Sequence, residues 1–114
     1  MPDNAEAFEA LVRVLEGAIR AGVTSIGLEY KGRELMVFYQ AGGVGLGAAR
    51  IPEDRQQVVI EEMVKRAGLS RKSKGKMEVR LLGKDYTAIV EEFDSFGESA
   101  YNLTLKERKK KSGG

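Results

Sequence analysis

Neither cysteine nor histidine occurs anywhere in the 114-residue chain. Without cysteine there is no disulfide and no thiolate metal site. Without histidine the commonest metal ligand is gone, together with the only side chain that titrates unperturbed near neutrality. Chemistry here must be built from carboxylates, amines, guanidinium groups, hydroxyls and backbone. No convincing nucleophile–base pair assembles from that set, so the expectation is a protein that is not an enzyme and carries no cofactor. Long apolar runs are also lacking: none approaches the roughly 18 residues of a membrane span. The opening Met1-Pro2-Asp3-Asn4 lacks the basic and apolar regions of a signal peptide. A cytoplasmic protein is expected.

What is present is globular in character, with 42% hydrophobic and 32% charged residues in a length typical of one domain. Such a chain buries about two-thirds of its unfolded surface, enough for one core. The net charge of +2 is unevenly spread. Residues 1–60 carry six basic and eight acidic groups, and residues 61–114 carry thirteen and nine. The basic excess sits at Lys65 to Lys76 and in the tail from Lys106 to Lys111.

The pattern along the chain predicts α-β-β-(β)-α-β-β-β. Asp3 and Glu6 form a capping-box signal, and Phe8, Leu11, Val12, Leu15 and Ile19 share one face at helical spacing, so a helix is expected over about 4–21, with Gly22 as a left-handed C-terminal cap. The period then drops to two. Ile26, Leu28 and Tyr30 share a face of a strand over 24–30. Lys31-Gly32-Arg33 turns the chain into a second strand over 34–40, apolar on both faces and therefore expected to be central and covered. Residues 41–50 are glycine-rich and predict a short, irregular third strand. Pro52 suits the first position of a second helix, over about 52–67, ended by Gly68. After a basic loop over 70–75, alternating runs over 76–82, 85–93 and 99–106 predict an antiparallel meander, with a tight turn at Gly83-Lys84 and a longer turn at Asp94-Ser95-Phe96-Gly97. The domain is expected to span 1–106, followed by a disordered basic tail over 107–114. A five- to six-stranded, mostly antiparallel sheet with two packed helices would bury both helical stripes.

Three groups of residues are candidate sites. Gly43 to Ala48 fits G-x-G-x-x-A after a strand, which makes Gly42, Gly43, Gly45 and Gly47 a candidate ligand loop. A dinucleotide site needs a helix to begin at once, however, and Pro52 places it four residues later, so a flexible or bulged edge segment is the better reading. Arg66, Arg71, Lys72, Lys74 and Lys76, with Lys65, place six positive charges within twelve residues at the end of the second helix. A helix C-terminus favours cations, but six exceed that need; a solvated face is the leading reading, and beside it stands a surface for an acidic protein partner, nucleic acid or a phosphate ligand. Glu91, Glu92 and Asp94 cluster as a metal site would require, yet Glu91 and Glu92 alternate faces of a strand, which favours an edge-protecting or turn role. Lys109, Lys110 and Lys111 are able to touch nucleic acid or anionic lipid electrostatically, but the four Tyr and four Phe mostly fall in strands, and specific nucleic-acid binding is not expected.

A family resemblance runs over residues 5–106. Ala21 to Glu29, Val37-Phe38-Tyr39 leading to Gly43-Val44, Ile51-Pro52 before a helix finishing Ala67-Gly68-Leu69, and then Gly75-Lys76, Gly83-Lys84 and Phe96-Gly97-Glu98 follow one another in an order that resembles the PAS-like N-terminal domain of type II secretion and type IV pilus motor ATPases. The resemblance implies a PAS-like fold and an adaptor, regulatory or assembly role. The family's first-strand histidine is replaced by Leu28 or Gly27, the longer segment in which it carries arginines after the second helix is shortened here to residues 69–75, and Ile89 stands about where a further arginine is usual. The resemblance implies that those arginines face the nucleotide or a neighbouring motor subunit, and their loss speaks against an ATP-related role. The family continues into a P-loop motor domain, whereas this chain stops at Gly114, as expected of a free-standing relative or an excised piece. Two other roles are weighed beside the adaptor. One is a nucleotide-type sensor with a cavity lined by Phe38, Tyr39 and residues 42–47; the other is a weak nucleic-acid binder through Lys72, Lys74 and the tail.

Overall fold

A computed structural model describes residues 4–31, 33–41, 44–51, 53–95 and 97–108, the side chains of Asn4, Ala5, Ala7, Ala48 and Ser95 excepted. Asp3, Gly32, Gly42, Gly43, Pro52, Phe96 and Lys109 to Gly114 lie outside the described residues, and with them the first helix's proposed cap, half of the glycine loop and most of the tail.

The chain forms α1 (Asn4–Arg20), β1 (Ser25–Lys31), β2 (Glu34–Ala41), β3 (Val44–Ile51), α2 (Glu53–Ala67), β4 (Lys74–Leu81), β5 (Lys84–Ser95) and β6 (Glu98–Glu107). This is the expected α/β order. The six strands make one sheet in the order β3-β2-β1-β6-β5-β4, and every neighbouring pair is antiparallel. Hairpins build each flank, and the β1–β6 pairing joins the flanks at the centre.

Alternation decides where the core lies. Ile26, Leu28, Leu35, Val37, Val90, Tyr101 and Leu103 project from one face of the sheet, through the registers Leu28↔Val37, Leu28↔Tyr101 and Val90↔Leu103. The apolar stripes of both helices, Phe8, Leu11 and Leu15 on α1 and Val59 and Met63 on α2, join that same cluster. Both helices therefore cover one face. The opposite face is open to water, so β2, central as expected, is covered on one side only: Leu35 and Val37 are buried, whereas Met36 and Phe38 are half-buried.

Both helices end as their glycines foretell. At α1, the Gly22 amide donates to the Ile19 carbonyl (3.0 Å) and the Val23 amide to Ala18 (2.9 Å), with Gly22 at φ 75°. At α2, Gly68 donates to Lys65 (3.3 Å) and Leu69 to Val64 (2.9 Å), with Gly68 at φ 68°. Both are Schellman motifs, which satisfy terminal carbonyls and need a left-handed residue.

Three expectations are revised. The glycine-rich segment is a full eight-residue strand, with a shift in register between Val37 and Phe38 that leaves Ala48 as an extra residue in β3. The β4–β5 turn is at Leu82-Gly83, one residue earlier than expected, because Leu81 pairs with Lys84. Both turn residues have positive φ, 51° and 77°, the signature of the hairpin turn whose twist matches its strands. Leu82 is held in this unfavourable conformation while its amide donates to the Glu16 carboxylate at 2.9 Å. Finally, β6 runs through Glu107, and the Arg108 amide bonds to the Asp85 carbonyl at 2.8 Å, so the ordered domain extends past residue 106.

Gly75 occupies the tightest position. A Cβ there would run into the carbonyl of Ala67 and approach Leu69 Cδ2 at 3.3 Å, so β4 passes directly beneath the end of α2 only because residue 75 has no side chain. Gly75→Ala is expected to lower stability by about 1–3 kcal/mol in urea unfolding. Leu82→Asn, which relieves the left-handed leucine, is expected to raise stability by up to about 1 kcal/mol in the same assay.

Candidate interaction site

The Schellman ending of α2 turns the chain out through residues 70–73 and back into β4. Because β4 alternates, Gly75, Met77, Val79 and Leu81 face the helices and Lys74, Lys76, Glu78 and Arg80 face the open side. Lys72, Lys74 and Lys76 line one depression of about 360 Å³, floored by Ala67, Gly75 and Ile89. These three of the five predicted basic residues are brought together. All three are exposed, and among the described residues they form no ion pair. The nearest counter-charge in the pairing pattern is Glu91, the register partner of Lys74.

Arg66 does not belong to this group. Its Nε donates to Glu62 Oε1 at 2.9 Å, and its guanidinium lies 4.0 Å from the centroid of the Phe8 ring. The ion pair lies within α2 and orients the guanidinium, and the cation–π contact with Phe8 links α2 to α1. Arg71 is exposed in the turn and does not line the depression. Glu62, four residues before Arg66 on the helix, is the sequence signal for the ion pair, whereas Phe8 lies far from Arg66 along the chain and only the helix–helix packing makes them neighbours.

The glycine segment is not a loop. Gly45 and Gly47 stand in the edge strand β3, no helix begins beside them, and Gly42 and Gly43 lie outside the described residues. Two unbroken rows relate them to the lysines. Gly47, Phe38, Gly27, Asn102, Glu91 and Lys74 lie side by side across the open face, as do Gly45, Gln40, Ser25, Thr104, Ile89 and Lys76. The two candidate sites thus occupy opposite edges of one sheet, about 24 Å apart at the usual strand spacing. Between them Ser25 Oγ donates to Gln40 Oε1 at 3.0 Å, which keeps the centre of the open face polar. Phe38 and Tyr39 point to opposite faces, and the Tyr39 hydroxyl donates to the Val14 carbonyl of α1 at 2.9 Å. They cannot line one cavity between sheet and helix.

The carboxylate cluster also separates. Glu91 is on the open face and Glu92 on the helix face, as alternation requires. Their strand β5 is internal, so an edge-protecting role does not apply. Among the described residues no three carboxylates converge as metal ligands would. Glu92 Oε2 instead accepts from the Tyr101 hydroxyl at 3.3 Å. Burial pushes the Tyr101 phenol up to about 12, and the adjacent Glu92 carboxylate adds to the shift.

No family model matches the chain, and a search of curated proteins finds none similar to it. Among the described residues no helix is long and apolar enough to cross a membrane.

The Tyr101 shift carries a pH signature. The folded state holds this proton more tightly than the unfolded chain, so the associated stability is complete below about pH 10 and is lost as pH rises towards 12. Melting curves over that range should show a loss of stability, reduced in Tyr101→Phe.

Proposed function

We propose that this domain is a non-catalytic adaptor or assembly module of the cytoplasm, which docks an acidic protein surface onto Lys72, Lys74 and Lys76. The observation that carries this reading is that Lys72, in the turn after α2, and Lys74 and Lys76, on β4, line one depression beside the close approach of Gly75 to α2, and form no ion pair among the described residues. Ion-paired or scattered lysines serve solubility. Three left unpaired around one depression attract anionic groups by steering and by direct contact. The sequence resemblance to the PAS-like N-terminal domain of secretion and pilus motor ATPases supports the adaptor role and suggests a component of such machinery as partner. The arginines that the resemblance would assign to a nucleotide or motor subunit are mostly missing here, which favours recognition of a protein over any ATP-linked task.

The test uses the full chain and a Lys72→Glu/Lys74→Glu/Lys76→Glu variant as bait against cytosol, with bound material identified and its affinity measured at low and high salt. The three side chains are solvent-exposed, so the variant should melt within a few degrees of the wild type. Wild type should retain a specific acidic protein, with binding weakened by salt and reduced roughly tenfold or more in the variant. Retention of the same partner with unchanged affinity by the variant, or recovery of nucleic acid alone by the wild type, would overturn the reading.

A further inference from the structure

The two edges of the sheet are built on opposite plans. On β4 every second residue, Lys74, Lys76, Glu78 and Arg80, is charged and exposed, a standard defence against edge-to-edge pairing. On β3 that defence is absent from Val44 to Gly47, which contains no charge and no proline. Val44 and Leu46 are 59% and 63% exposed on the face they share with Tyr39. The strand's one charge, Arg50, is turned back onto Glu34 of β2 at 2.9 Å. The extra residue Ala48 bends the strand beyond this point and confines a regular edge to its first half. Among the described residues no strand pairs with the outer side of β3. An unpaired row of backbone amides and carbonyls flanked by apolar side chains specifies another extended backbone as its complement.

We infer that β3 pairs antiparallel with β3 of a second copy of this chain, about a twofold axis through Gly45. In an antiparallel pair, residues directly opposite share a face. Gly45 then faces Gly45 of the second copy, and the exposed Val44 of each chain packs against the exposed Leu46 of the other. The Arg50–Glu34 ion pairs fall at the two outer ends, so no like charges meet. A register centred on Leu46 instead would drive the pairing into the bulge at Ala48. The contact is isologous and closed, and it joins two six-stranded sheets into one continuous sheet with the lysine clusters at its far ends. It is independent of the lysine site, and either idea can fail alone.

One short strand buries less than the roughly 1,200 Å² of a stable standard interface, so association is weak and concentration-dependent. Analytical ultracentrifugation of the full chain should show the 12.5 kDa monomer shifting towards twice that mass with concentration. Leu46→Lys, at a site too exposed to unfold the domain, should stay monomeric at the same concentrations with an unchanged circular dichroism spectrum. Because the chain has no cysteine, a single introduced thiol reports the register. A Cβ at Gly45 or at Gly47 meets nothing closer than Phe38, at 3.9 Å in each case, so both sites accept cysteine. With dissolved oxygen accepting the electrons and protons of the two thiols, Gly45→Cys should form a disulfide-linked dimer at least about tenfold faster than Gly47→Cys. The symmetry mates of residue 47 lie about 14 Å apart, beyond the roughly 7 Å limit for a disulfide. A wild type that stays monomeric throughout, a Leu46→Lys variant that dimerises equally, or equal cross-linking at 45 and 47 would each overturn the inference.

Discussion

Everything in this molecule is arranged around a sheet that has its core on one face only. Six antiparallel strands present two faces to their surroundings, and both helices lie on the same one. The buried side must satisfy packing, which Ile26, Leu28, Leu103 and their neighbours do at zero exposure. The other must remain in water, and it does so through cross-strand polar and charged pairs: Ser25 with Gln40, Arg50 with Glu34, Arg108 with Glu78 and Arg80 with Asp85. Individually such exposed pairs add little stability. Their effect is to keep a broad surface soluble while the outer strands meet solvent along their length.

That division makes the edges the informative places. At one, the end of α2 sits close over β4, and three lysines line one depression with no ion pair among the described residues. At the other, β3 pairs among the described residues with β2 alone, and its exposed side chains from Val44 to Gly47 are small or apolar. Rows of paired residues run unbroken from one to the other, so the two edges belong to one rigid layer while remaining chemically distinct.

Much of this was legible from residue order. The helical stripes, the period-two runs and the glycines at 22 and 68 carry local signals, because capping and alternation depend on neighbours in the chain. The third strand was harder, since glycine disfavours strands and only the pairing with β2 overrides it. The turn at Leu82 was misplaced by one residue because glycine was expected to lead, whereas here a leucine accepts the first left-handed position. Among the basic residues, proximity in sequence gathered Arg66 with the lysines, although its guanidinium stacks on Phe8. Sequence distance also grouped the glycines with Phe38 and Tyr39, which the pleat sends to opposite faces. For the third strand and for Arg66 the missing information was a contact between segments far apart in the chain, whereas the turn and the Phe38–Tyr39 alternation were local features read wrongly.

The Gly75 contact has one more consequence. Sliding β4 by a single position along β5 would place Lys74 or Lys76 beneath the Ala67 carbonyl, where no side chain fits. The same slip would turn every lysine towards the helices and every apolar residue towards water. A residue with no side chain thus acts as an alignment pin. It admits one phase of the strand and rejects its neighbours, and so determines which side of the molecule its cations reach.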